Sequence, residues 1–143
     1  MPSVPMTDRA VQTRGRSEMV DITRLVQQSL PADMVRGYVI VYVPHTTAGI
    51  TIQENADPDV KHDMLAKLET LVPHRESYYQ HAEGNSDSHV KTALVGNSVT
   101  VLVENARLVL GQWQAIYFCE FDGPRRRQVF IRPVDLGTPG QQT

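Results

Sequence analysis

Hydrophobic and polar positions along the chain fall into short alternating runs and into stretches at helical spacing. The segment GYVIVYV, Gly37 to Val43, is apolar on both alternating faces and rich in β-branched residues, which predicts a strand buried on both sides. Ala48 to Gln53 alternates Ile50 and Ile52 against Thr51 and Gln53 and predicts a second strand paired with the first. Val11 to Arg16 is weakly strand-like. Further strands are expected over Ser98 to Val103, Leu108 to Leu110, Trp113 to Phe121 and Gln128 to Arg132, with Asp122-Gly123 as a hairpin turn between the last two. Ile22, Leu25, Val26 and Leu30 follow Asp21 at helical spacing until Pro31. A second helix starts at Pro58, because Asp57 can cap free backbone N–H groups and proline at the first helical position gives up a bond that is missing anyway. Its stripe is Val60, Met64, Leu65, Leu68 and Leu71, ending at Val72-Pro73. Ser86 or Asp87 caps a third helix through Val90, Ala93 and Leu94, with Gly96 as its stop. These elements predict an α+β fold of mainly antiparallel strands with about three covering helices.

The chain of 143 residues suits one domain, 1–143, with residues 1–10 and 134–143 expected to be loose. A net charge of -2, with Arg125 to Arg127 as the sole basic run, argues against a general nucleic-acid partner. No apolar segment approaches the roughly 20 residues of a membrane helix, and the first 16 residues lack the apolar centre of a signal peptide, so no membrane partner and cytoplasmic residence are expected. Cys119 is the single cysteine, which excludes an intrachain disulfide and thiolate clusters within one chain. It lies on one strand face with Trp113, Ala115, Tyr117 and Phe121 and reads as an inert packing residue, with Glu120 on the opposite face.

Candidate chemistry concentrates in two polar stretches. HTTAGITIQENADPDVKHD, His45 to Asp63, carries His45, two threonines, Glu54, Asn55, Asp57, Asp59, His62 and Asp63. HAEGNSDSHVK carries His81, Glu83, Asn85, Asp87, His89 and Lys91. His45, His81 and His89, three of the five histidines, sit in polar elbows beside carboxylates, the neighbours that orient imidazoles in metal sites. Converging imidazoles suit zinc or a similar divalent metal better than magnesium. The bland alternative is a wet surface. In EFDGPRRR, Glu120 and Asp122 stand near three arginines, which could grip a phosphate or pair with the carboxylates. The chain contains neither a nucleophilic-serine elbow nor a phosphate-cradling glycine loop.

HTTAGITIQENADPDVKHD, HAEGNSDSHVKTALVGNS and LGQWQAIYFCEFDGPRRR, in that order, closely resemble the YjbQ or UPF0047 family, over about Thr13 to Pro133. The resemblance implies a distorted sandwich or barrel, a homotrimer, and thiamine-phosphate synthase activity, joining hydroxymethylpyrimidine diphosphate to thiazole phosphate. It also implies that His45, Thr46, Glu54, Asn55, Asp57, Asp63, His81, Asp87, His89, Lys91 and Glu120 line the site. The roles expected from residues and resemblance together are catalysis by Asp57, Asp63, Asp87 and Glu120, and substrate binding by Thr46, Glu54, Asn55, Lys91, Arg125 and Arg127. The expected metal ligands are His45, His81 and His89, with magnesium possible for a diphosphate substrate. Two further expectations stand beside the synthase: a His/carboxylate-bound metal hydrolase of a small phosphorylated substrate, and a non-catalytic trimeric binder of a phosphorylated metabolite or metal.

Overall fold

A computed structural model of the chain describes residues 4–140. In order, the elements are β1 (Thr7–Gln12), β2 (Glu18–Asp21), α1 (Thr23–Gln28), β3 (Arg36–Tyr42), β4 (Ala48–Glu54), α2 (Pro58–Leu71), α3 (Ser86–Val95), β5 (Ser98–Glu104), β6 (Arg107–Leu108), β7 (Gln114–Glu120) and β8 (Arg126–Asp135). The strands form two antiparallel sheets, one ordered β1-β8-β3-β5-β6 and the other β2-β7-β4. The α+β expectation holds, with three helices. The main core lies between the sheets: Val39, Val41, Val101, Val103, Val129 and Ile131 from the large sheet meet Ile50, Ile116 and Phe118 from the small one. Each such fully buried side chain contributes about 1.5–3 kcal/mol. Ala115, Tyr117, Cys119 and Phe121 use the alternate face of β7 and pack against Met64, Leu65 and Leu68 of α2 and Val95 of α3.

Several expectations are corrected. The segments β3 and β4 do not pair; they belong to different sheets, and residues 43–47 carry the chain across. Asp122-Gly123 likewise makes no hairpin, because β7 and β8 lie in different sheets. The strand with both faces fully covered is β7, not β3. Both sequences read as apolar twice over, but α2 and α3 cover the small sheet, so the outer face of β3 carries half-buried Tyr38 and Ile40 and leaves Tyr42 46% exposed. The first strand begins at Thr7, inside the region expected to be loose, and β8 runs on to Asp135 because its far end pairs with β3. The outermost parts of the expected loose ends, residues 1–3 and 141–143, lie outside the described residues.

The helices follow their local signals with two exceptions. Asp21 Oδ1 accepts the Thr23 N–H at 3.0 Å, and Asp57 Oδ1 accepts the Asp59 N–H at 2.9 Å as the cap of α2. Leu71 leaves the expected stripe and is exposed. The N-cap of α3 is Asn85, not Ser86 or Asp87, and its side chain makes no capping bond. Polar residues 74–85 form an ordered irregular loop, held by Tyr79 donating to Pro73 O at 2.9 Å and by His74 Nε2 lying 3.1 Å from Gly84 O.

Candidate functional site

Three connections cross between the sheets at one corner: residues 13–17, 43–47 and 121–125. Backbone bonds tie them together, Phe121 N–H to Thr47 O at 3.2 Å, Gly123 N–H to Arg16 O at 3.1 Å and Thr13 N–H to Arg125 O at 3.1 Å. Gly123 is required by this closeness, since a Cβ there would lie 2.4 Å from Gly15 O. Beneath the corner, Glu120 on β7 and Arg127 on β8 form a buried ion pair between the sheets. Arg127 Nε donates to Glu120 Oε1 at 2.8 Å, and Arg127 Nη2 donates to Glu120 Oε2 and, at 2.9 Å, to Thr47 Oγ1. Thr13 Oγ1 donates to Glu120 Oε1 at 2.7 Å, and the Phe121 and Asp122 N–H groups donate to Oε2 at 3.1 and 3.0 Å. Burial pushes the Glu120 carboxyl up, but the bonds from Arg127, Thr13 and Asp122 outweigh it and hold the group below the usual carboxylate range.

Over this base lies a cleft of about 450 Å³ whose walls include His45, Thr46, Thr47, His81, His89, Arg125 and Arg127. The rings of His81 and His89 meet edge to face with centroids 5.4 Å apart, and His81 Nε2 is 3.9 Å from Glu83 Oε2. His45 Nε2 accepts the Gln128 N–H at 2.9 Å, so the neutral ring carries its proton on Nδ1 and is a donor. Burial, reinforced by the Arg127 guanidinium, holds this imidazole below its ordinary pKa. Asn97 Nδ2 fixes the same crossover, donating to His45 O at 2.8 Å and Val43 O at 3.1 Å. Arg125 pairs with Asp122 at 3.0 Å, so both arginines use part of their forks within the protein. For each, Nη1 is the guanidinium nitrogen not engaged in these bonds.

Thus the chain brings His45, Thr46, His81, His89, Arg125 and Arg127 to one cleft. Glu120 supports its floor without lining it. Asp87 and Lys91 lie on the buried side of α3: Asp87 accepts Arg16 Nη1 and Nη2 at 3.1 Å each and Lys91 Nζ at 3.2 Å, while Lys91 Nζ also donates to Glu69 at 2.6 Å. Burial pushes the Asp87 carboxyl up, and its bonds to Arg16 and Lys91 hold it low on balance. With both oxygens occupied, Asp87 is a structural anchor in this chain. Glu54, Asn55, Asp57 and Asp63 do not line the cleft. Glu54 ends β4 while Thr46 and Thr47 precede its start, and a seven-residue strand separates them by about 20 Å. Asp63 is an exposed residue on α2 beside His62, 3.1 Å away. Among the described residues, no three His, Cys, Asp or Glu side chains are grouped closely enough to hold a metal. Sequence reasoning left Asn85 and Asn97 out of the assignments, although Asn85 lies inside the second polar stretch. Cys119 is buried and its thiol is pushed up to about 12 by that burial, so the inert reading holds.

A larger depression of about 570 Å³ involves Asp21, Thr23, Arg24, Gln27, Leu108 and Leu110. Its polar groups are spent on the fold: Thr23 Oγ1 accepts the Ile116 N–H at 2.8 Å and Gln27 bridges Ala106 O and the Leu108 N–H at 2.7 and 3.1 Å. Its titratable groups are Asp21 and Arg24, against the three imidazoles and two guanidiniums of the histidine cleft, which is the better candidate.

Comparison with known proteins decides the family: the model described as "UPF0047 protein YjbQ-like" matches residues 7–135. The chain belongs to the YjbQ/UPF0047 family. Its relatives include the UPF0047 protein YugU of Bacillus subtilis, 52% identical over 85% of this chain and 93% of that protein. Another is the UPF0047 protein of Methanocaldococcus jannaschii, 48% identical over 87% and 90%. The crystal structure of a family member from Clostridium acetobutylicum, described as uncharacterized, superposes with a TM-score of 0.85 at 45% identity, covering 90% of this chain and 99% of that one. The expected synthase activity is overturned here, because these family members carry only the UPF0047 designation or the description "uncharacterized", and membership assigns no thiamine-phosphate chemistry. No helix among the described residues is long and apolar enough to cross a membrane.

Proposed function

We propose that the histidine cleft binds a small phosphorylated molecule and that its imidazoles move protons on it. The observation that carries this reading is the meeting of two guanidinium groups and three imidazoles in one cleft of about 450 Å³. Arg125 and Arg127 offer Nη1, Thr46 offers a hydroxyl, and His45 offers a fixed Nδ1–H, all donors suited to phosphate oxygens. His81 is exposed and His89 half-buried on the cleft wall, within reach of a bound group as general acid or base.

A divalent metal of the zinc type is a second reading, favoured by the His81–His89 contact. Two imidazoles on one tetrahedral metal at Zn–N distances of about 2.0–2.1 Å have ring centres about 5 Å apart, close to the 5.4 Å observed. Glu83 is the nearest carboxylate to His81, whereas His45 has already committed Nε2 to a backbone donor. A homotrimer belongs to the same proposal. Tyr42 stacks on Phe130 with centroids 6.3 Å apart on the outer face of the large sheet, and Leu102, opposite Tyr38 farther along the same face, is 62% exposed, an apolar surface suited to burial against copies of the chain.

Calorimetric titration with inorganic phosphate and small alkyl phosphates tests the main reading, with Arg125→Met expected to weaken binding at least tenfold. An Arg125→Met protein that binds alkyl phosphates as well as the parent would refute it. Metal content of protein purified without chelator or tag-derived nickel, compared with a His81→Ala/His89→Ala variant, tests the second. Stoichiometric zinc in the parent alone supports the His81–His89 site; metal-free parent protein that takes up none on dialysis against zinc rejects it.

A further inference from the structure

Asn85 is 5% exposed, lines the cleft and holds one unsatisfied atom: its Oδ1 is buried without a donor. The amide orientation is fixed by its other end, since Nδ2 donates to Asp122 Oδ2 at 2.8 Å and lies 3.5 Å from Glu83 Oε2. Turning the amide over would set its oxygen against those carboxylates. The same bond explains why this N-cap residue of α3 makes no side-chain cap, because the amide is held toward Asp122 and away from the free N–H groups of the helix. Meanwhile the Asn85 backbone carbonyl accepts the Ser88 N–H at 3.0 Å, so the residue is locked at both ends.

A buried carbonyl oxygen without a donor keeps the full penalty of its lost hydration, and that cost is relieved when a bound molecule brings an O–H or N–H to it. His81 shares the cleft wall with Asn85 and has an exposed side chain, which can move aside as such a group enters. From this we infer that Asn85 Oδ1 is a specificity element reading a hydrogen-bond donor on the ligand. The ligand class is then a small phosphate ester carrying a hydroxyl or amino group, with the phosphate toward Arg125, Arg127 and His45 and the donor toward Asn85. This rests on the phosphate reading above and deepens it. It also predicts rejection of donor-free analogues, because an alkyl group placed against Oδ1 leaves the oxygen unpaired in the complex.

The test is calorimetric titration of the full chain with matched pairs: glycerol 3-phosphate against n-propyl phosphate, and 2-aminoethyl phosphate against ethyl phosphate, beside inorganic phosphate. In the parent protein at least one donor-bearing ester is expected to bind tenfold or more tighter than its analogue. In Asn85→Leu that preference should vanish, with circular dichroism checking the fold. Equal affinity within both pairs in the parent, with phosphate still binding, overturns the role of Asn85 and leaves the phosphate reading standing. Failure of all five probes to bind at millimolar concentration overturns both. The comparison within the parent protein decides the matter even where the Leu variant does not fold.

Discussion

His45 shows how one backbone contact sets the chemistry of a side chain. Its Nε2 accepts a peptide N–H from Gln128, and both burial and Arg127 oppose a second proton. The folded-state pKa is therefore below the ordinary value of about 6.5. As pH falls through about 6.5 the unfolded chain takes up a proton at this residue before the folded chain does, so the stability tied to neutral His45 is complete above that pH and lost below it. Nitrogen-correlated NMR of the imidazoles should find His45 as the neutral Nδ1–H form at pH 6.5. A His45 resonance already half titrated at that pH would exclude the assignment. Glu120 behaves oppositely in charge and alike in sign. Its carboxylate is held low, so its contribution is present above about pH 4.5 and lost as pH falls through the depressed value. Glu120→Gln leaves Arg127 buried without its counter-charge and should cost about 3–5 kcal/mol in urea unfolding; a loss below 1 kcal/mol would contradict the pairing described.

At the scale of elements, α3 inverts the usual helix. Asp87, Ser88, Lys91 and Thr92 are buried, while Val90 is 43% and Leu94 is 63% exposed. The buried face is tolerable because Asp87 and Lys91 pair with one another and with Arg16 and Glu69, and Ser88 Oγ donates to Phe121 O at 2.5 Å. Lys91→Met and Asp87→Asn should each destabilise by about 3–5 kcal/mol, and the double variant by clearly less than the sum, since removing both partners leaves no orphaned buried charge. Additive losses would show that the two residues do not act as a pair. The second helix presents a simpler case. Asp57→Ala removes one capping bond at a distance from the cleft, so urea unfolding should fall by about 1 kcal/mol with phosphate affinity unchanged.

The whole molecule is a two-sheet sandwich with α2 and α3 covering the small sheet and no helix over the outer face of the large one, and that uncovered face has a consequence for assembly. Light scattering should give three times the 16.0 kDa chain mass, with Tyr42→Lys/Leu102→Lys shifting the population toward smaller species. Monomeric parent protein would remove the trimer from the proposal. Local chemistry alone determined the Asp57-Pro58 start of α2, the alternating strands, the inert Cys119 and the grouping of His81, Asn85 and His89 on one stretch, because capping, pleat period and sequence adjacency act over a few residues. Only the tertiary structure decided which sheet each strand joins. Apolar pattern fixes a strand's faces but not its neighbour, so β3 and β4, adjacent in sequence, separated, and the expected hairpin at Asp122-Gly123 became a crossing between sheets. Those crossings put His45 beside His89 and Arg127 across long sequence separations, and left Glu54, Asp57 and Asp63 off the cleft although they share a polar stretch with His45. The orphaned oxygen of Asn85 likewise depends on Asp122, 37 positions away, because whether a buried polar atom is satisfied is a property of the packed chain and not of its local sequence.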